Sequence, residues 1–222
     1  MERTTYNLAL KTTELLRTQQ TRLAAIEWVR GEANLDVEFS ELACECCTQA
    51  WNTSFASEFP HLSLKCFGPD VNLLFTYVNG ERPPSEQKIE LKSSVSTVIP
   101  GSTIGMTNIN QPLIYCLRPS GNRPDYRFHC SLYHQAMGET ETDLFQDRTP
   151  RPRLNFDHMT DGAPYLEKSK SAWSEHYARC ALQRVRLSKH SSWQDDFTRQ
   201  LIDEYLRTTP LEELIARKQT LE

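Results

Sequence analysis

Two carboxylates and one amine occupy positions from which two neighbouring strands could bring them together. Asp70 precedes an apolar run at residues 71–78, and Glu90-Leu91-Lys92 lies in the next strand-like segment. Because side chains alternate between the faces of a strand, Lys88, Glu90 and Lys92 share one face. Two carboxylates beside an ammonium group can hold a divalent cation next to a positive charge, a combination suited to hydrolysing a phosphodiester bond.

The charged residues of this hairpin also have a purely structural explanation. A half-exposed strand alternates charged and apolar residues, and a second Glu-x-Lys occurs at Glu86-Gln87-Lys88. We assign Glu86 to the polar turn after Pro83-Pro84 and place Glu90 inside the strand, which we expect to begin at Lys88. The strand after Asp70 is too apolar for an exposed ribbon, so the hairpin should be central and its charges should need partners or a metal.

The surrounding segments predict an α+β fold with a mixed central sheet of about five strands, flanked by helices and followed by a helical C-terminal part. Apolar residues recur at helical spacing in residues 6–30 and 36–55. Strand patterns follow at residues 62–67, 71–78, 88–95, 113–118 and 126–133. Residues 99–110 read as a loop with one short helix, and residues 138–164 read as a loop that is extended at 147–154. Three further helices are expected at 165–186, 191–207 and 210–219.

The same pattern divides the chain into two parts that we expect to pack as one compact domain. Residues 1–137 hold the N-terminal helices and the catalytic sheet, and residues 138–222 hold the Pro/Arg-containing loop and the helical C-terminal subdomain. The second part contains a basic stretch, in which Arg148, Arg151 and Arg153 could lie along a DNA backbone or read guanine in a groove. A solvated loop explains these three arginines equally well. Lys168 and Lys170 are candidate phosphate contacts or surface residues.

The composition favours a soluble globular protein. Of the 222 residues, 38% are hydrophobic and 24% are charged, and no apolar run approaches the ~18 residues of a membrane span. The N-terminus lacks the apolar core of a signal peptide, so we expect a cytoplasmic protein with no membrane contact. No glycine-rich phosphate-binding motif and no His-Glu-x-x-His occurs, which predicts that the protein uses no nucleotide cofactor and is not a zinc protease.

The seven cysteines are scattered along the chain and odd in number, which predicts free thiols in a reducing compartment. Cys44-x-Cys46-Cys47, with His61 and Cys66 downstream, raises the alternative of a zinc site. The spacing differs from the usual paired C-x₂₋₄-C arrangement, and Cys46 and Cys47 fit the apolar stripe of the second helix. We therefore predict buried thiols here.

Pro69-Asp70, nineteen residues and then Glu90-Leu91-Lys92 on the following strand resemble the signature of the PD-(D/E)XK nucleases, and of type II restriction endonucleases in particular. The resemblance covers residues 35–118, a helix followed by strands. It implies a restriction-endonuclease-like core in which Asp70, Glu90 and the Leu91 carbonyl bind Mg²⁺ and Lys92 is the catalytic lysine. The chain departs from the family after Lys92, where a Ser/Thr/Gly-rich stretch replaces the usual helix.

Some members of this family add an acid from the preceding helix to the metal site, and Glu41 and Glu45 are the candidates here. The resemblance further implies a homodimer that cuts double-stranded DNA at specific sites and leaves 5′-phosphate ends. Two alternatives remain open. One is a repair or recombination nuclease built on the same core, and the other is a non-catalytic DNA-binding or protein-interaction module.

Overall fold

The computed structural model describes residues 1–28, 37–102, 108–121, 123–138, 144, 151–160, 163–187, 200, 203–204, 207 and 209–210. The chain divides into two compact units. The first comprises Met1–Thr97, Gln111–Ala136 and Phe156–Tyr165, and the second comprises Val98–Asn110, Met137–Asn155 and Leu166–Glu222. Among the residues described, no helix is both long and apolar enough to cross a membrane.

Three helices open the first unit: α1 (Glu2–Arg17), α2 (Gln20–Ala25) and α3 (Val37–Ser54). The prediction of one helix over residues 6–30 is wrong, because the chain breaks after Arg17, and residues 29–30 lie outside the described part. At the break, the Thr18 hydroxyl donates to the Leu15 carbonyl at 2.7 Å, as a threonine does when it competes with helical hydrogen bonding. Helix α3 confirms the second predicted helix.

A five-stranded mixed sheet forms the centre of this unit, as predicted. Its strands are β1 (Leu62–Phe67), β2 (Val71–Tyr77), β3 (Ser85–Ser94), β5 (Pro112–Leu117) and β6 (Arg127–Leu132), in the order β1-β2-β3-β5-β6. The β3–β5 pair is parallel and the other pairs are antiparallel. A short helix, α4 (Tyr133–Ala136), follows β6.

Strand β3 is longer than the sequence suggested. Its ladder with β2 extends to the pair Phe75↔Ser85, so the strand begins at Ser85 and not at Lys88. Assigning Glu86 to a turn was therefore wrong, because only the residues up to Pro84 lie outside the ladder. Glu86, Lys88, Glu90 and Lys92 consequently form one continuous row on one face of β3.

The opposite face of β3 packs into the hydrophobic core beneath the helices. Ile89 is fully buried and Leu91 is 7% exposed, and both belong to the cluster that includes Val71 and Phe75 of β2. Trp51 of α3 meets Phe75 edge-on, with ring centroids 5.3 Å apart. Core packing therefore fixes which face of β3 carries the charged row.

The second unit contains a small two-stranded sheet and a helix. Strand β4 (Val98–Pro100) pairs antiparallel with β7 (Arg153–Asn155), and Phe156–His158 of the first unit forms a 3₁₀ helix directly after β7. The sequence pattern predicts no strand at β4 or β7, although it predicts an extended chain up to Leu154. Residues 103–107 lie outside the described part, and the described remainder of the β3–β5 connection holds β4 and no helix.

Helix α5 (Lys170–Leu187) confirms a helix near residues 165–186 but begins later. The Asn110 side chain bonds both the Lys168 N–H, at 2.9 Å, and the Lys168 carbonyl, at 3.0 Å, so these groups are not available to a helical turn. The helices predicted at residues 191–207 and 210–219 lie almost entirely outside the described residues.

Substitution of Ile89 tests whether β3 is anchored by the core face that opposes the charged row. We expect Ile89→Val to lower the free energy of unfolding by about 1 kcal/mol and Ile89→Ala by about 3 kcal/mol, because the buried side chain leaves a larger cavity as it is shortened. Urea unfolding followed by tryptophan fluorescence measures both. Equal, small losses would show that Ile89 is not packed in the core.

Candidate active site

Asp70 lies in the turn between β1 and β2, in the left-handed backbone region with φ 57°. Asp is among the non-glycine residues that tolerate this conformation, since its short polar side chain can bond locally. The Asn72 side-chain amide donates to the Pro69 carbonyl at 2.6 Å and holds the turn. From here the Asp70 carboxylate reaches β3, where Oδ1 accepts the Leu91 N–H at 3.0 Å.

This contact takes the place of a backbone hydrogen bond at the point where the β2–β3 ladder ends. The last pair is Val71↔Ile89, and the same register carried two residues further would set Pro69 opposite Leu91. Proline has no N–H to donate, so the Leu91 carbonyl receives no ladder bond from that residue. The Asp70 carboxylate takes up the Leu91 N–H instead. The Asp70 carboxylate thus bonds the backbone of Leu91 where the ladder ends.

Glu90 is the second carboxylate, and it is buried, with 5% of its surface exposed. Its Oε1 accepts a hydrogen bond from Lys92 Nζ at 2.6 Å. Its Oε2 lies 3.1 Å from Lys88 Nζ and accepts from the side-chain amide of Gln111 at 3.4 Å. Gln111 is the residue directly before β5. A buried carboxylate requires such partners, because desolvation of its charge would otherwise be very costly.

Lys88 joins the two carboxylates. Its Nζ is 2.8 Å from Asp70 Oδ2 and 3.1 Å from Glu90 Oε2, so one oxygen of each acid points at the same ammonium group. Burial by itself would lower the pKa of Lys88, but its hydrogen bonds and attraction to Asp70 and Glu90 outweigh burial and raise it. The four charged groups of this cluster balance, with two acids and two lysines.

The donor set suits a hard divalent cation. Asp70 and Glu90 already direct oxygens at one cationic group. The Leu91 carbonyl, a further candidate ligand, belongs to the residue whose N–H bonds Asp70. Mg²⁺ is held in proteins by one or two carboxylates together with water, so two acids are sufficient. Within the described residues, no group of three or more His, Cys, Asp and Glu side chains is positioned to hold a metal.

The two candidate acids of α3 differ in their surroundings. Glu45 forms an exposed ion pair with Arg22 at 2.8 Å. Glu41 lines an open groove of about 730 Å³ that also includes Cys44 and Gly68, and the Cys44 thiol donates to the Asp70 carbonyl at 3.8 Å. The same groove includes Glu45. Both acids thus lie beside the Asp70 turn. Glu45 is paired with Arg22, and among the described residues no ion pair is found for Glu41.

The predicted DNA-binding residues belong to the second unit, whereas Asp70, Glu90 and Lys92 belong to the first. Arg151 is exposed, Arg153 lies on β7, and Lys168 Nζ lies 5.5 Å from the centroid of the Trp173 ring. Lys170 is the first residue of α5, and Arg148 lies outside the described residues.

Two contacts of the site were not assigned a role from sequence. Lys88 was placed on the face of Glu90 and Lys92, and its spacing two residues before Glu90 is the signal that could have included it. Gln111 reaches Glu90 because β5 runs parallel to β3, with Glu90 opposite Leu113. No local pattern in the sequence marks Gln111.

The cysteines are free thiols, as predicted, although Cys44 and Cys66 are half-buried. Burial raises the pKa of Cys44 to about 12 and that of Cys46 to about 11. Cys47 and Cys66 are hydrogen-bonded to each other, which raises the pKa of Cys47 and lowers that of Cys66. These directions describe Cys47 donating its proton towards the Cys66 sulfur.

Comparison with protein-family models, with curated proteins and with solved structures finds no match to this chain. The function is therefore inferred from the geometry and chemistry of the Asp70–Glu90–Lys92 cluster and from the motif resemblance.

Removal of the buried carboxylate should destabilise the protein strongly. Glu90→Ala leaves Lys88 and Lys92 without a shared partner, and we expect a loss of about 3 kcal/mol in the free energy of unfolding. Glu86→Ala removes an exposed acid from the same face of the same strand and should cost less than about 0.5 kcal/mol. Urea unfolding at neutral pH measures both variants, and equal losses would contradict the buried network.

Cys66 should be the most reactive of the cysteines Cys44, Cys46, Cys47 and Cys66. Because the thiolate is the reactive form, a lowered pKa raises the rate of alkylation at pH 7.5, whereas the other three thiols stay protonated. Iodoacetamide labelling followed by peptide mass spectrometry gives the order of modification. Cys44 and Cys66 line the same groove beside the Asp70 turn. Faster labelling of Cys44 would show that access to the thiol and not its ionisation decides reactivity.

Proposed function

We propose that this protein is a Mg²⁺-dependent endonuclease that hydrolyses phosphodiester bonds in double-stranded DNA. One observation carries the proposal: Asp70 and Glu90 direct oxygens at one cationic position while Lys92 bonds the other oxygen of Glu90. The order of these residues in the chain supports the same chemistry, since Pro69-Asp70 and Glu90-Leu91-Lys92 resemble the PD-(D/E)XK signature.

Each residue has a separate task in this proposal. Asp70 and Glu90 would hold the metal ion together with the Leu91 carbonyl, and the ion would supply Lewis-acid chemistry to the scissile phosphate. Lys92 orients and polarises the attacking water and stabilises the negative charge that develops on phosphorus. Glu90, accepting from Lys92 at 2.6 Å, holds that ammonium group in place.

A type II restriction enzyme is the form of nuclease that the resemblance favours. Such an enzyme would cut at specific sites, leave 5′-phosphate ends and act as a two-fold dimer on a palindromic sequence in the cytoplasm, since protein symmetry mirrors that of the site. Arg151, Arg153, Lys168 and Lys170 are the proposed source of positive charge for contacts with the DNA backbone, and such contacts supply a large share of the affinity of a DNA-binding protein.

Incubation with phage DNA and Mg²⁺ tests the proposal. Discrete fragments that disappear on addition of EDTA are expected of a site-specific enzyme. A smear, or a preference for branched DNA, would indicate a repair or recombination nuclease. DNA that stays intact with wild-type protein, across a panel of phage genomes, would contradict the nuclease and leave a non-catalytic binding module.

Substitutions assign the activity to the site. Asp70→Asn retains the size of the side chain, an acceptor for the Leu91 N–H and tolerance of the left-handed backbone, but it removes one charge from the metal site. Lys92→Met removes the ammonium group that positions the water. Each should lower the cleavage rate by about a hundredfold or more. Glu86→Gln, on the same row of β3, is the matched control.

Circular dichroism and thermal unfolding establish that each variant is folded before its rate is compared. The Glu86→Gln variant should cut at the wild-type rate. Full cleavage by folded Asp70→Asn or Lys92→Met protein would show that the nuclease activity does not use this cluster.

A further inference from the structure

We infer that Lys88 is an internal cation that holds Asp70 and Glu90 together in the metal-free protein and competes with the divalent ion for them. This inference rests on the proposed metal site. The inference extends the proposed site by assigning a role to a residue outside the Asp70–Glu90–Lys92 motif. It also predicts how the charge of Lys88 affects the affinity for metal.

The contacts of Lys88 are those of a bound cation. Its ammonium group lies 2.8 Å from Asp70 Oδ2 and 3.1 Å from Glu90 Oε2. One oxygen comes from the β1–β2 turn and the other from β3, and both point at this amine. A divalent ion bound by the same two oxygens would require the Lys88 ammonium group to leave its place between them.

Lys88 and Lys92 differ in how freely they can leave. The side chain of Lys88 is 39% exposed, whereas that of Lys92 is 15% exposed. Lys92 bonds Glu90 Oε1, whereas Lys88 lies 3.1 Å from Oε2, so the two lysines are paired with different oxygens of the same carboxylate. Lys88 can therefore move into solvent while Lys92 keeps its hydrogen bond.

Charge balance gives the direction of the effect. Two acids and two lysines sum to zero, so a divalent ion finds no excess negative charge unless one lysine withdraws. Removing the charge of Lys88 leaves one excess negative charge and also removes a competitor for the same oxygens. Charges this close together in a partly buried site attract or repel each other strongly. We therefore expect metal affinity to change by about tenfold or more when the charge of Lys88 is removed.

The test measures Mn²⁺ binding by the electron paramagnetic resonance signal of the free ion, in the absence of DNA. Lys88→Met should bind Mn²⁺ about tenfold or more tightly than wild type, because the competing amine is gone. Lys65→Met removes the same charge from β1 and should stay within about twofold of wild type. Asp70→Asn/Lys88→Met should lose the tight site.

Thermal unfolding supplies a second readout. Without metal, Lys88→Met should melt below wild type, because Asp70 and Glu90 then repel each other without a cation between them. Saturating Mn²⁺ should raise the melting temperature of Lys88→Met more than that of wild type, because binding to the folded state stabilises it. If Lys88→Met does not fold, Lys88→Gln removes the charge and keeps a hydrogen-bond donor.

The outcomes separate the two claims. Equal Mn²⁺ affinity in wild type and Lys88→Met, at a site that Asp70→Asn abolishes, would overturn the role of Lys88 and leave the metal site in place. Absence of Asp70-dependent Mn²⁺ binding in every variant would overturn both, and Lys88 would then be part of an ion-pair network that supports the fold.

Discussion

The burial of Glu90 is the constraint on which the site depends. Strand β3 has core side chains on one face, and Glu90 lies on the other with 5% of its surface exposed. A carboxylate so placed must be met by cations and donors, because its desolvation is otherwise unfavourable. Lys92 and Lys88 supply the charges, and Gln111 brings an amide from the start of the neighbouring strand. The partners of Glu90 thus join β3 to β5.

The end of the β2–β3 ladder creates the other half of the site. Pro69 cannot donate to β3, and Asp70 adopts a left-handed conformation at the point where the strands separate. Its carboxylate bonds the Leu91 N–H with one oxygen and Lys88 with the other. A local interruption of the sheet therefore sets an acid beside Glu90. Residues that interrupt regular strand pairing often occur at functional sites.

The strands and α3 were predictable because their patterns are strong and local. Residues 71–77 are nearly all apolar, as in a central strand, and Glu90 and Lys92 are two residues apart, which sets them on one face. The start of β3 was not predictable, since the register with β2 extends the strand into a polar segment. The break after Arg17 likewise has no glycine or proline to mark it, and Thr18 bonds the Leu15 carbonyl there through both its N–H and its hydroxyl. The contacts of Lys88 and Gln111 require strand register, which one sequence does not provide.

Anomalous diffraction from crystals soaked at saturating Mn²⁺ shows directly whether Asp70 and Glu90 share a divalent cation. We expect an anomalous peak within ligand distance of Asp70 Oδ2 and Glu90 Oε2, with the Lys88 ammonium group moved away and Lys92 still bonded to Glu90. If no peak appears there and Lys88 stays between the two carboxylates, these residues do not form a metal site.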